Sequence, residues 1–461
     1  MVFFAVRDRF LKKSMKQIFF LWAVIVMSAG FYLNAEGQSS DVLTNHATLE
    51  SCIHYALSHQ PALQQSYLDQ QITEHSVKSK LADWFPQVGL SYNLNHYIEL
   101  PTSSVSNSNG SKQPVKTGLI NNSTINLGVN QTIFNDDVLL AARSAKDVRR
   151  EAGQNVVGTK INTIVDVTKA YYDVLISQRQ LDILQQDIVR LRKSEHDAYI
   201  QYKAGIVDQT DYERASIALN NSLAALKTTR EQVKGKYAFL KQLMGYPSDN
   251  VLALSYDTTQ MGNDVRLDTT QVVNYKNRIE YQALQTQKRL QIDNLDYYKL
   301  SFLPTLSVFY NYNLAYLNND FNKLYNTSYP NSLIGLQVTL PLFEGTKRIQ
   351  NIKVAKLELE RSDWDITAIK FQINTQFVQA MSAYKSNLNY WRILKKNVQT
   401  AQNVYNVISL QYKQGVKTYL DVITAESDLR TAEFNYLDAL FNVLSSKVDV
   451  EKAMGKIPLN Q

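Results

Sequence analysis

The sequence repeats itself at long range. The stretch Tyr202-Lys203-Ala204-Gly205-Ile206-Val207-Asp208-Gln209-Thr210-Asp211-Tyr212 is echoed 210 residues later by Tyr412-Lys413-Gln414-Gly415-Val416-Lys417-Thr418-Tyr419-Leu420-Asp421-Val422. The same offset carries Ala215 to Ala425 and Met244-Gly245 to Met454-Gly455. A register held without a gap marks a tandem duplication, so the 461 residues read as one architecture built twice rather than two unrelated domains. In both copies a long helical pattern runs into a glycine and a second begins a few residues on. Gly205 and Gly415 suit the left-handed position that ends a helix. Asp208 or Thr418 can cap the next helix, with Asp211 or Asp421 as the acidic partner three residues in. Each copy is expected to hold a helical hairpin with a tight tip.

The N-terminus carries its own signal. Lys12, Lys13 and Lys16 precede an apolar run from Ile18 to Phe31, and Ala35-Glu36-Gly37 offers small residues before Gln38. Residues 1–37 therefore read as a secretory signal peptide, with Met15 an alternative start and an uncleaved signal anchor the alternative reading. Past Gln38 no stretch approaches the ~18 consecutive apolar residues of a spanning helix, so a mature chain that crosses a membrane must do so with strands. Cys52 is the only cysteine and is expected as a packed thiol in a helix. The net charge of +7 is mild for this length, and no Lys/Arg cluster is dense enough to suggest nucleic acid.

Taken in order, the first repeat (38–245) opens with helical spacing from Thr48 to Trp84, stopped by Pro86. The period then falls to two: Val88, Leu90, Tyr92 and Leu94 alternate with Gly89, Ser91, Asn93 and Asn95. Pro101–Gly118 reads as a polar loop. A second strand follows, with Ile125, Leu127 and Val129 against Asn126, Gly128 and Asn130, closing at Phe134. From Val138 to Lys203 runs a helix of about 66 residues, or roughly 100 Å. Its seam is Ile164, Val167, Tyr171, Val174, then Leu181, Leu184, Ile188 and Leu191. The chain returns from Asp211 to Met244. A polar connector (246–267) leads to the second repeat (268–461). There a helix spans Thr270 to Phe302, two alternating strands end at Leu314 and at Pro341-Leu342-Phe343, and Asn318–Asn331 loops between them. A long helix from Lys347 to Lys413 and its return from Tyr419 to Met454 complete the plan.

The chain thus owns four strands of roughly ten residues, the length of a tilted membrane strand. Four strands cannot close a barrel, and lipid does not tolerate an open edge. Other copies must complete it: eight strands leave an interior filled with side chains, whereas three copies give twelve and room for a lumen. Trp84, Phe85, Phe134, Phe302 and Phe343 fall where strands meet helices, as an interfacial aromatic girdle requires. The alternative is a soluble sandwich, against which stands a strand face of small polar residues without charges.

These features resemble the TolC-like outer-membrane efflux proteins over nearly all of the mature chain. The pieces that carry the resemblance are the junctions Trp84-Phe85-Pro86 and Phe302-Leu303-Pro304, the strand ends Thr132-Ile133-Phe134 and Pro341-Leu342-Phe343, and the two tips. The resemblance implies a mainly α fold with membrane β. It implies a homotrimer whose strands form a twelve-stranded barrel in outer-membrane lipid and whose coiled-coil helices form a periplasmic α-helical barrel. It further implies an exit duct of a tripartite efflux or type I secretion system, with a periplasmic adaptor (membrane fusion) protein docking at the tips (Gly205, Ile206, Gly415, Val416) and an inner-membrane pump. By the family's pattern Asp421 belongs to an acidic ring at the closed tunnel end, and Asp211, Tyr412 and Lys417 are the polar contacts that hold it shut. Where a second acidic ring residue is expected this chain has Thr424, which departs from a doubled ring.

No enzymatic signature competes with this reading. The six histidines are scattered with no helical pair around a carboxylate, which disfavours a metal site. No G-x-S-x-G, phosphate loop or dinucleotide fingerprint occurs, and Asp136 and Asp137 open a helix, where negative charge is favoured anyway. No cofactor is expected. An envelope-associated coiled-coil scaffold without transport activity would need the helices but not the strands, and a soluble helical binding protein would need neither long helices nor a girdle. Asp421 and Asp211 also admit a purely structural role as first-turn acids.

Overall fold

The computed structural model describes residues 46–106, 112–255 and 258–459; the expected signal peptide lies outside them. Helix α1 (Leu49–His59) and helix α2 (Pro61–Ala82) occupy the segment expected as one helix. The division follows from Pro61, which lacks an amide to donate and crowds the preceding turn, so Gln60 takes an extended ψ of 121° and caps α2 by accepting from the Leu63 amide at 2.9 Å. Strand β1 (Gln87–His96) follows, then β2 (Thr102–Ser106), β3 (Lys112–Lys116) and β4 (Asn121–Phe134). β2 and β3 pair as a two-stranded ribbon within the segment expected as a loop. No apolar alternation marks them, and Pro114 is tolerated because a two-stranded ribbon has only edges.

Helix α3 (Asp136–Lys203, 68 residues) starts on an Asn135 cap, whose side-chain oxygen accepts from the Asp137 amide at 2.7 Å. Helix α4 (Gln209–Met244) runs back from its tip. The connector then packs rather than merely spans. Leu252, Leu254, Met261 and Val265 are buried, Ala47 and Leu254 form a parallel bridge, and a short helix α5 (Thr258–Asp264) follows. The second copy begins with a 3-10 turn (Tyr275–Asn277) and helix α6 (Ile279–Leu300), later than the sequence pattern suggested. The delay has a tertiary cause. Arg278 is 5 % exposed and donates to Glu280, Gln376 and the Ala453 carbonyl, which fixes an extended residue where a helix would have continued. Strands β5 (Thr305–Asn318) and β6 (Ser328–Thr339) flank a 3-10 turn at Phe321–Asn326 whose Leu324 is buried, so the expected loop folds back. Helix α7 (Lys347–Lys413, 67 residues) and helix α8 (Tyr419–Ala453) close the chain.

The seam of α3 behaves as its spacing requires: Ile164, Val167, Tyr171, Val174, Leu184, Ile188 and Leu191 are buried, and Leu181 lies partly covered at the phase shift. Helix α8 packs against α3 and buries Leu437, Leu440 and Leu444. Cys52 of α1 is fully enclosed, as are Leu240 and Met244 of α4, and burial pushes its thiol up to about 12.

β1, β4, β5 and β6 form one antiparallel sheet in the order β1-β4-β5-β6, with both outer edges unpaired. Register sorts the faces. One row reads Val88, Val129, Tyr310, Ile334 and another Leu90, Leu127, Tyr312, Ser332; the opposite face reads Ser91, Asn126, Asn313, Asn331. Amides cross three strands on that face, Asn126 donating to Asn313 and Asn313 to Asn331. On the same face the Phe309 ring lies over Gly335 and leaves no room for an added Cβ. On the apolar face Val88, Leu90, Ile334 and Leu336 are 64 to 72 % exposed, so a large apolar band is left uncovered by the described residues. Among the described residues no helix is long and apolar enough to cross a membrane.

Candidate functional site

Both tips are wired alike. Gly205 (φ +72°) donates to the Tyr202 carbonyl and Ile206 to that of Gln201; Gly415 (φ +73°) donates to Tyr412 and Val416 to Gln411. This pairing satisfies the last carbonyls of α3 and α7, and the left-handed turn is why glycine stands there. Ile206 and Val416 project from the two turns at 73 and 68 % exposure.

Beyond the turn the copies diverge. On α8 the Thr418 hydroxyl accepts from the Asp421 amide (3.3 Å), while Asp421 Oδ2 accepts from the Thr418 amide (3.0 Å) and hydroxyl (2.8 Å), a complete capping box. On α4 Asp208 occupies the same position but makes no side-chain cap bond. The difference is chemical: a hydroxyl both donates and accepts, whereas two carboxylates can only accept and repel each other. The Thr418 hydroxyl and amide, with Lys417 adding charge, hold the Asp421 carboxyl below the usual carboxylate range.

The expected latch is arranged differently within the protomer. Lys417 Nζ lies 3.7 Å from Asp421 rather than on Asp211, because the two occupy one turn of the same helix start. Tyr412 donates its hydroxyl to Gln201 Oε1 at 3.2 Å, joining the second hairpin to the first. The Asp211 carboxylate accepts no hydrogen bond among the described residues; its charge is felt by the nearby Tyr412 and Tyr419, though burial is the main influence raising both phenols. Tyr419 is the residue the sequence reading missed. It is 4 % exposed, packs with Ala198 and Ala215, and its ring lies tilted against that of Tyr412, 5.8 Å between centroids. The offset held the clue, since the first copy has Gln209 at that place and the second a large ring.

Further along the hairpins lies a set of buried charges. Asp187 of α3 is completely enclosed; its Oδ2 accepts from Ser222 (2.8 Å, α4) and Arg430 (2.9 Å, α8), and its Oδ1 from Arg190 (3.1 Å). Arg190 Nε donates to Glu426 at 2.9 Å and its guanidinium faces the Tyr405 ring of α7. All four helices of the two hairpins meet here. The signal was a polar residue on an apolar seam, Asp187 beside Ile188 and Glu426 after Val422 and Ala425.

At the other end of the helices the five aromatic residues gather at one end of the sheet. Phe134 pairs with Leu306, and Trp84, Phe85, Phe302 and Phe343 lie just outside the strand ends Gln87, Thr305 and Thr339. Phe343 is 87 % exposed and Phe85 67 %, whereas Phe302 is half covered by the Arg348 guanidinium, 5.1 Å from its ring. Among the described residues no group of three or more His, Cys, Asp or Glu could hold a metal ion.

The outer membrane efflux protein family matches the chain over residues 52–246 and again over 276–456, one match to each copy. The chain belongs to that family. The efflux protein is 21 % identical over 396 residues to the outer membrane protein TolC of Vibrio cholerae serotype O1, covering 83 % of this chain and 84 % of the relative. Its fold is similar to that of CusC, described for transmembrane channel formation, with a TM-score of 0.71, 14 % identity and coverage of 88 and 91 % of the two chains. It is likewise similar to the outer membrane protein VceC of Vibrio cholerae, with a TM-score of 0.68, 16 % identity and coverage of 88 and 96 %. The efflux protein is an outer-membrane efflux channel with a large periplasmic portion. Its family is one of transport channels.

Proposed function

We propose that three copies of the efflux protein close a twelve-stranded barrel in the outer membrane and continue it as a helical tunnel through the periplasm, forming the exit duct of a tripartite pump or a type I secretion system. The carrying observation is the four-stranded sheet, apolar on one face and mainly Asn, Ser, Gln, Thr and Gly on the other, where Phe309 and Leu333 also stand, with both edges unpaired among the described residues. Such edges are costly in lipid and end only by closure on other copies. The polar face then lines a wet lumen, and the five aromatic residues form the girdle at the periplasmic side. In this reading residues 38–245 and 268–461 are two copies of one ancestral unit joined by 246–267.

The tips are the docking point for a periplasmic adaptor, which meets Gly205, Ile206, Gly415 and Val416 and links the duct to an inner-membrane pump. Asp421 from three copies crowds the tunnel end and concentrates cations there, while Asp211, Tyr412 and Lys417 hold the end closed. Asp211, whose carboxylate no donor satisfies among the described residues, is the group left for a neighbouring copy.

Protein purified in detergent should have the mass of three copies and form pores in planar bilayers. Asp421→Asn should lower cation selectivity without changing that mass. A stable monomer, or absence of pores from trimeric protein, would refute the duct; selectivity unchanged in the variant would reduce Asp421 to a helix cap.

A further inference from the structure

The buried charges between the hairpins are unevenly served. Asp187 accepts three bonds, from Arg190, Ser222 and Arg430, and is fully enclosed. Glu426 is 3 % exposed and accepts one, from Arg190 Nε. Arg190 is shared with Asp187, so two acids meet at one guanidinium with few donors left for the second. In such a pair one carboxyl takes up a proton more readily, and the one with fewer donors is the one that does. Glu426 also lines a groove between α4 and α8, with Ile217, Leu420, Ile423 and Arg430, through which water can reach it. The cluster joins α3, α4 and α8 directly and meets α7 through Tyr405, so it has members on both hairpins.

We propose that Glu426 is a proton-dependent latch between the two hairpins, holding them together when protonated and letting them part when ionised. The inference rests on reading the hairpins as the gate, although its test does not. The groups that face Glu426 are Asp187 and Arg190 from α3, Arg214 across the groove from α4, Tyr405 from α7, and Tyr419 and Arg430 from α8, with Glu433 further along. In the hydrogen-bonded set the guanidiniums of Arg190 and Arg430 balance Asp187 and Glu426 only when Glu426 is ionised, yet burial outweighs that balance and raises its carboxyl from 4.5 to about 7. The sign follows. Packing binds the proton more tightly than a water-exposed carboxyl does, so the joined state is favoured below the ordinary carboxylate range. That advantage is lost as pH rises through about 7.

The hairpin spacing can be read directly. Ile217→Cys on α4 and Leu420→Cys on α8 place two thiols on the exposed walls of the groove, while enclosed Cys52 leaves labelling reagents to them. Nitroxides at these positions, in full-length protein diluted with unlabelled copies, report the distance by pulsed electron resonance. The ratio of separated to joined hairpins should rise roughly tenfold between pH 6 and pH 8. Glu426→Gln, which keeps the size and the acceptor, should stay joined at both pH values, whereas Glu433→Gln should keep the response. Identical distance distributions at the two pH values in the otherwise unaltered protein would overturn the latch whatever the variants do. So would a response that survives Glu426→Gln. Pore measurements on the same samples separate the two readings: no pores with an intact distance change would leave the latch standing and remove the gate.

Discussion

At the head of α8 one carboxylate does two things, since Asp421 closes the capping box with Thr418 and also stands at the tunnel end in the proposed trimer. The two roles part experimentally. Thr418→Ala removes the cap acceptor and leaves the charge, which costs about 1 kcal/mol of local stability. Amide exchange in the first turn of α8 should then quicken roughly fivefold, while Asp208→Ala, which loses no side-chain cap bond, should leave the first turn of α4 nearly unchanged. Equal effects at the two helices would mean the box holds nothing. The pH dependence has a definite sign. Because the Asp421 carboxyl is held below 3.8, the box contributes fully above that value and is lost only as pH falls through the lower one. Protection at α8, corrected for intrinsic rates, should stay level from neutral pH to pH 5 and fall in stronger acid. This part of the site was legible in the sequence because capping is settled within a few residues. Asp187 and Glu426 were not, since their meeting depends on how two hairpins pack rather than on any local spacing.

At the scale of the element, four glycines end four helices with the same left-handed turn but under different constraints. Gly205 and Gly415 have open space around a would-be Cβ, so only their φ demands glycine. Gly245 (φ +68°) and Gly455 (φ +67°) are also crowded, with a Cβ placed 2.5 Å from the His59 carbonyl oxygen and 2.6 Å from that of Asn277. Both carbonyls belong to the backbone entering the next helix of their own copy, which cannot swing aside. Gly205→Ala or Gly415→Ala should therefore cost about 1 to 2 kcal/mol. Gly245→Ala or Gly455→Ala should cost about 1 to 3 kcal/mol more, from the overpacking. Thermal unfolding of each variant tests this, and a tip variant that melts as low as Gly245→Ala would show the crowding to be relieved. The offset in the sequence announced all four glycines as helix ends. It could not separate the open pair from the crowded pair, because the crowding comes from segments far back in the chain. The same limit explains the residues before Ile279, where helical spacing was real but Arg278 found partners on α7 and α8. It also explains the β2–β3 ribbon, held by backbone pairing that leaves no hydrophobic pattern to read.

For the whole molecule, α7 shows what a single copy leaves unfinished. Its inner face buries Ile366, Ile373, Tyr384 and Trp391, at heptad spacing within each pair. On the opposite side Leu357, Trp364, Phe371 and Val378 recur every seventh residue and are 51 to 71 % exposed. Small residues Ala368, Thr375 and Ser382 follow four positions after the last three, giving knobs beside holes along one stripe. A seven-residue repeat is what a neighbouring helix would need to follow α7 over several turns. Each of these side chains gains about 1.5 to 3 kcal/mol when fully covered, and three-fold assembly would cover every stripe at once. The sheet edges add to the same requirement from the membrane end, but the stripe can be tested apart from them. Trp364→Glu with Phe371→Glu places two charges on the seam and leaves the buried face of α7 untouched. The double variant should have the mass of one copy in detergent while keeping its helical circular dichroism, and Trp364→Phe should still assemble. If the double variant remains trimeric with unaltered thermal stability, the stripe faces something other than a second copy and the strands alone hold the assembly.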